Sequence, residues 1–240
     1  MEILLSDGLP FDAAATACTA AGQASAITPR QVGVRTWFRA AWMGLSTCRL
    51  LPHVLFLLGT DGGAMVRQDL IVWARILHQP APDKFSDLLR TFVYFMTFTK
   101  EFRNLFYLRC GHAARLFAPL CPRLHGLEIE CPSIGPGLFI QHGENTFVSA
   151  RRIGANCWIG RHVVIGYSNE TDMPALGDNV RVFAGAKIIG RVEVGDNATV
   201  GLNTVVTGNV APGTTVLGVP GRVIWRKGAA PIGQARDATA

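Results

Sequence analysis

The chain is predicted to fold as a parallel β-solenoid of triangular coils behind a layer of helices. Three observations predict it. Residues 134–221 read in sixes: IGPGLF and IQHGEN from Ile134, FVSARR, IGANCW, IGRHVV and IGYSNE from Phe147, then LGDNVR, VFAGAK, IIGRVE, VGDNAT, VGLNTV and VTGNVA from Leu176. Upstream, apolar residues recur at helical spacing. Between Tyr167 and Ala175 the phase breaks, as it does where an insertion leaves a solenoid as a loop.

A period of six matches neither the strand period of two nor the helical 3.6. It does match a short flat strand followed by a corner. The opening aliphatic or aromatic residue of each unit points inward, Phe147 among them. The Gly that often follows it, and the Asn at the fourth place (Asn156, Asn179, Asn197), suit corners where φ turns positive. Three strands and three corners make a coil of eighteen residues, and stacked coils pair at about 4.8 Å around one aliphatic column. One added residue precedes Phe147 and five more (171–175) precede Leu176. The second insertion predicts a projecting loop over about 167–175, with Asn169, Glu170, Asp172 and Pro174.

In chain order, 1–31 is Ala/Thr-rich without firm periodicity and is expected to be disordered. Residues 32–126 form the expected helical domain. A helix over 32–49 carries Trp37, Phe38 and Trp42. Pro52 opens a second, stopped by Gly59 and an Asp61-Gly62-Gly63 turn. A third covers 64–78 and ends at Pro80 and Pro82. Asp83 caps a fourth, over 84–109, with an apolar stripe from Phe85 to Phe106. That stripe is read as core between helices. The alternative is a membrane-surface face, since Lys84, Arg90, Lys100, Arg103 and Arg109 flank it. The solenoid is assigned to 127–225 and a tail to 226–240.

Composition narrows the function. The net charge of +6 is scattered, with no basic run and no aromatic platform, which excludes a nucleic-acid reader and suits an anionic cofactor. Six cysteines show no CxxC pair and no zinc spacing, so they read as reduced thiols of a cytoplasmic protein that needs no metal. Acidic residues at Glu2, Asp7 and Asp12 do not fit a signal peptide, and no stretch fits a transmembrane helix. Contact with the inner face of a membrane stays open.

The hexads, with RLLPH at 49–53, KEFRNLFYLRCG at 100–111 and IGPGLFIQHG at 134–143, resemble the serine acetyltransferase-like hexapeptide-repeat O-acetyltransferases, exopolysaccharide-associated members included. The resemblance spans about 49–225. It implies a left-handed parallel β-helix, where the usual crossover rule would give the right hand. It also implies acetyl-CoA as co-substrate, and active sites between subunits of a homotrimer, doubled through the helices into a dimer of trimers in some members.

Residue roles follow from the matching segments. IGPGLFIQHG is similar to the GxGLxIxH pattern whose histidine is the general base, which points to His142. A corner histidine is wet, and acyl transfer to a hydroxyl needs a base. Glu128 stands near the acidic partner expected one coil earlier, one residue short of its spacing, with Glu130 second. Counting units places Arg161 over His142 with His162 beside it, as acceptor contacts. The loop has Asp172-Met173-Pro174 where serine acetyltransferases carry the Arg-His-Pro that holds the serine carboxylate. An Asp accepts hydrogen bonds from sugar hydroxyls but cannot clamp a carboxylate. The expected acceptor is therefore a sugar of a surface or exopolysaccharide precursor, with L-serine as the alternative. Ala184, Gly185 and Asn203 keep the cofactor groove open, and Arg222 in GVPGR, similar to the family's GVPAR, meets CoA phosphates. The repeat demands small corner residues in any case. Two other classes compete: a metal enzyme resembling γ-class carbonic anhydrases, for which the repeats hold too few histidines, and a non-catalytic trimeric scaffold.

Overall fold

The computed structural model describes residues 42, 44, 46–80, 82–169 and 171–226. The start expected to be disordered, the expected tail from 227 and most of the expected 32–49 helix lie outside these residues. The helices and coils belong to one compact unit that begins at Leu45.

The helical layer is α1 (Leu51–Gly59), α2 (Asp61–Ile76), α3 (Phe85–Phe98) and α4 (Lys100–Arg115), followed by a 3-10 turn at Ala118–Leu120. Asp61-Gly62-Gly63 is not a separate turn but the first turn of α2. Thr60 caps it by accepting from the Gly63 N–H at 3.0 Å. The expected helix over 84–109 is two helices. Thr99 between them is extended, at φ −122° and ψ 100°. The break is held by tertiary contact: Arg103 donates to the Met96 carbonyl at 2.7 Å and to the Thr97 carbonyl at 2.6 Å, taking two orphan carbonyls of the α3 C-terminus. Lys84, not Asp83, occupies the α3 N-cap.

The apolar stripe is core. Phe92, Phe95, Phe102, Leu105, Phe106 and Trp73 are buried, and their rings meet at tilted or edge-on angles 5.3–6.5 Å apart. The membrane-face alternative fails for this stripe, although Phe85 and Phe98, the two end residues of α3, stay exposed. No helix of the described residues is long and apolar enough to cross a membrane.

His53 sits in this core with Phe106 and Phe117 around it. Tyr107 spends its O–H on the Cys121 carbonyl at 3.0 Å, so at 2.7 Å it accepts from His53 Nε2. Nδ1 is buried without a partner. Protonating it would bury an unmatched N–H, and desolvation, with Arg49 adding repulsion, lowers the His53 pKa from 6.5 to about 4. Between those values the unfolded chain binds the proton and the folded one does not. Stability is thus full above pH 6.5 and lost as pH falls toward 4. Thermal unfolding across that window should show a steeper acid loss for the wild type than for His53→Phe; equal slopes would count against this account.

The solenoid has three faces. A five-stranded face runs β1 (Leu127–Glu130), β3 (Thr146–Ser149), β6 (Val164–Gly166), β9 (Lys187–Ile189), β12 (Val205–Val206). A three-stranded face has β4 (Arg152–Ile153), β7 (Ala175–Leu176), β10 (Glu193–Val194). A six-stranded face holds β2 (Phe139–Ile140), β5 (Trp158–Ile159), β8 (Arg181–Val182), β11 (Thr199–Val200), β13 (Thr214–Leu217) and β14 (Arg222–Arg226). All pair in parallel except β14, which folds back antiparallel on β13 and closes the stack. Ile140, Ile159, Val182, Val200 and Val216 form one buried inner column of the six-stranded face.

Asn156, Asn179 and Asn197 take φ of 54–58°, as the hexads predict. The glycine that follows the opening residue is required for a different reason. Gly135 and Gly160 are not left-handed; a Cβ there would come within 2.6 Å of Ala155 N and 2.8 Å of Ala184 N in the next coil. Phase is corrected at Phe147. Val148 is the inward residue, paired with Ile165, while Phe147 faces out beside Val164. A slip of one residue swaps the two faces of a strand.

Candidate functional site

The corner between the six- and five-stranded faces gathers most of the predicted residues. Ile140 and Phe147 enclose six residues, whereas their register partners Ile159 and Val164 enclose four. The first coil therefore carries a two-residue bulge, one residue more than the hexads indicate. His142 lies in it at φ 51°, exposed, with Asn145 at φ 49°. Gly143 is buried against Leu127 and Ile140, so the bulge turns in at Gly143 and leaves His142 outside. The His142 carbonyl accepts from the Glu144 N–H at 2.8 Å, closing the turn.

The bulge shifts the stacking. His162 N–H donates to the Glu144 carbonyl at 3.0 Å, and Gly185 N–H to the Arg161 carbonyl at 3.0 Å. Arg161 therefore stacks on Glu144, not over His142, and His162 stacks on Asn145. Ala184 and Gly185 lie below Arg161 and His162, and Asn203 lies below Gly185. Asn145, His162, Gly185 and Asn203 form one left-handed column, φ 49–75°. A Cβ on Gly185 would run into Asn203 Oδ1, so the stack itself demands this glycine whatever binds beside it.

Glu128 is exposed on β1, one strand above Phe147, and its neighbour Leu127 packs on Gly143. No hydrogen bond joins Glu128 to His142 within the protomer. Asp172 is elsewhere. Its loop joins β6 to β7 at the corner of the five- and three-stranded faces. Its Oδ2 accepts from Asn169 Nδ2 at 2.7 Å and Ser168 Oγ at 3.2 Å. Within one protomer the whole five-stranded face separates Asp172 from His142. Arg222 opens β14, exposed, opposite Leu217, which packs on Gly201 at the lower end of the His142 corner.

A second set of residues is invisible to motif reading. Asp69 and Trp73 of α2, with Arg109 of α4, hold the backbone of 134–138 just before the bulge. Asp69 interrupts the buried stripe Val66, Leu70, Trp73 and Ala74. An acid inside an apolar stripe was the available signal. Among the described residues no group of His, Cys, Asp and Glu is placed to hold a metal ion.

The arrangement can be compared with known proteins. No protein-family model matches the chain. Serine acetyltransferase from Synechococcus elongatus is 36% identical over 129 residues, covering 52% of this chain and 53% of the relative. That from Staphylococcus epidermidis is 34% identical over 139 residues, covering 54% and 61%. This chain is similar to serine acetyltransferases. It spans between about half and three-fifths of the length of these curated relatives. Neisseria gonorrhoeae serine acetyltransferase in complex with serine superposes with a TM-score of 0.54 at 26% identity, over 71% of this chain and 72% of that one. The fold class agrees with that likeness: a parallel β-solenoid preceded by helices, as in the left-handed β-helices of the serine acetyltransferases.

Proposed function

We propose that the protein is an acetyl-CoA-dependent O-acetyltransferase with His142 as general base. The observation that carries this reading is the two-residue bulge that lifts His142 clear of the corner, beside the left-handed column that runs down to Gly185 and Asn203. His142 takes the proton of the acceptor hydroxyl as its oxygen attacks the thioester carbonyl. The C–S bond breaks, and the imidazolium returns the proton to the departing thiolate, giving ester and free CoA. Ala184 and Gly185 leave room beside the column for the pantetheine arm, and Arg222 offers a cation to its phosphates. Glu128 serves as the partner that orients the imidazole.

For the acceptor we favour L-serine over the sugar. The curated relatives are serine acetyltransferases, one solved neighbour carries serine, and Asp172 already spends an oxygen within its own loop. Arg161, which makes no ion pair among the described residues, is the cation offered to a serine carboxylate, with His162 beside it. Phe147, Val164 and Val205 face outward, half-buried, on the five-stranded face. We assign that face to a second prism of a homotrimer, which would bring the Asp172 loop of a neighbour toward His142.

The test is CoA release from acetyl-CoA by the full chain with L-serine or with a panel of sugars. Release with serine that disappears in His142→Ala is expected. Release with sugars alone would restore the glycan acceptor and Asp172 as its contact. No release with any acceptor would leave the scaffold reading.

A further inference from the structure

The first coil is the exposed end of the stack. β2 is the terminal strand of the six-stranded face, so one edge of 134–140 has no neighbouring coil. Such an edge leaves backbone groups that must find partners or stay wet. Here the helices supply them. Arg109 donates from Nη1 to the Ile134 carbonyl and from Nη2 to the Gly135 carbonyl, each at 2.6 Å. Gly137 N–H donates to Asp69 Oδ1 at 2.6 Å, and Trp73 Nε1–H to the Leu138 carbonyl at 2.8 Å. Asp69 is locked in turn by Arg109, with Nε to Oδ2 at 3.0 Å and Nη2 to Oδ1 at 3.2 Å. The Trp73 ring lies 4.7 Å from that of Phe139, which lies 4.6 Å from Trp158. Side chains from two helices thus grip this strand from Ile134 to Phe139.

The grip ends three residues before His142. Beyond Ile140 the chain enters a bulge with two left-handed residues, anchored inward at Gly143. The direction in which His142 leaves the prism is therefore inherited from the strand that precedes it. We infer that Asp69, Trp73 and Arg109 are positioning residues for His142, so that the helical layer sets the geometry of the transfer step as well as stabilising the fold. The inference rests on His142 being the base. A reacting group displaced by about 1 Å loses on the order of 10²-fold in rate, so a small relaxation of the strand is enough to be read in turnover.

Trp73→Phe separates the two roles. It keeps a ring beside Phe139 and deletes the donor to Leu138, together with part of the indole volume packed on Phe95 and Phe102, which the Tm reports. Arg109→Lys is the second variant; it keeps a cation beside Asp69 and loses the fork on Ile134 and Gly135. Both are assayed as full chains at a temperature where circular dichroism shows them folded, beside His142→Ala. The expected result is a fall in kcat of about tenfold with KM for acetyl-CoA unchanged. Wild-type kcat in folded variants with a lowered Tm would make the clamp merely structural and overturn the inference. If His142→Ala itself turns over normally, the base assignment fails first, and the inference with it. An inactive His142→Ala beside two fully active clamp variants isolates the failure to the clamp.

Discussion

His142→Asn should lower kcat by about 10²–10⁴-fold while leaving Tm unchanged. Asn is the informative replacement. His142 sits at φ 51°, and asparagine tolerates that region where most residues do not. Any loss then reports the missing imidazole and not a strained corner. Such a group removes a proton only as the new bond forms, so the loss belongs in kcat and not in KM. A drop in Tm beside the drop in kcat would mean that the bulge had collapsed. An unchanged kcat would remove His142 from the chemistry. Glu128→Gln divides the residual question. If Glu128 orients the imidazole, its loss lowers kcat but less than that of His142; if it is a solvated face residue, kcat stays put.

The solenoid was legible because its constraint is local and repeats. Left-handed Asn156, Asn179, Asn197 and Asn203, and the buried Ile140–Val216 column, recur wherever the hexad places them. The failures share one cause: contacts that the local pattern does not contain. Arg103 reaches back six and seven residues to cap α3, so the break at Thr99 is written outside the stretch that breaks. The bulge at His142 moves the phase by two because Gly143 turns inward on Leu127 of β1. Counting from the hexads then assigned Phe147 to the core and Arg161 to the wrong neighbour. His142 is named by its motif, while Asp69, Trp73 and Arg109 have no motif and make contacts across 25 to 68 residues of sequence.

Asp69→Ala should cost more stability than any other single change argued above. Asp69 and Arg109 are both removed from water, with side-chain exposures of 0% and 7%. Burial pushes the Asp69 carboxyl up from its ordinary value, against the pull of Arg109 and the Gly137 N–H. Replacing a buried ion pair by fitted apolar residues is often neutral, but removing one partner strands the other and costs about 3–5 kcal/mol. Here the stranded group is a guanidinium that also holds two carbonyls of the first coil, and Gly137 N–H loses its acceptor as well. Chemical denaturation should therefore show a midpoint far below wild type, with the loss shared by the helical and β signals because the pair bridges them. The double variant Asp69→Leu with Arg109→Met should recover part of it by removing both charges, while the four backbone groups of 134–138 keep only the Trp73 contact. If Asp69→Ala costs under about 1 kcal/mol, water must reach the pair, and the helices would then hold the first coil through Trp73 and Phe139 instead.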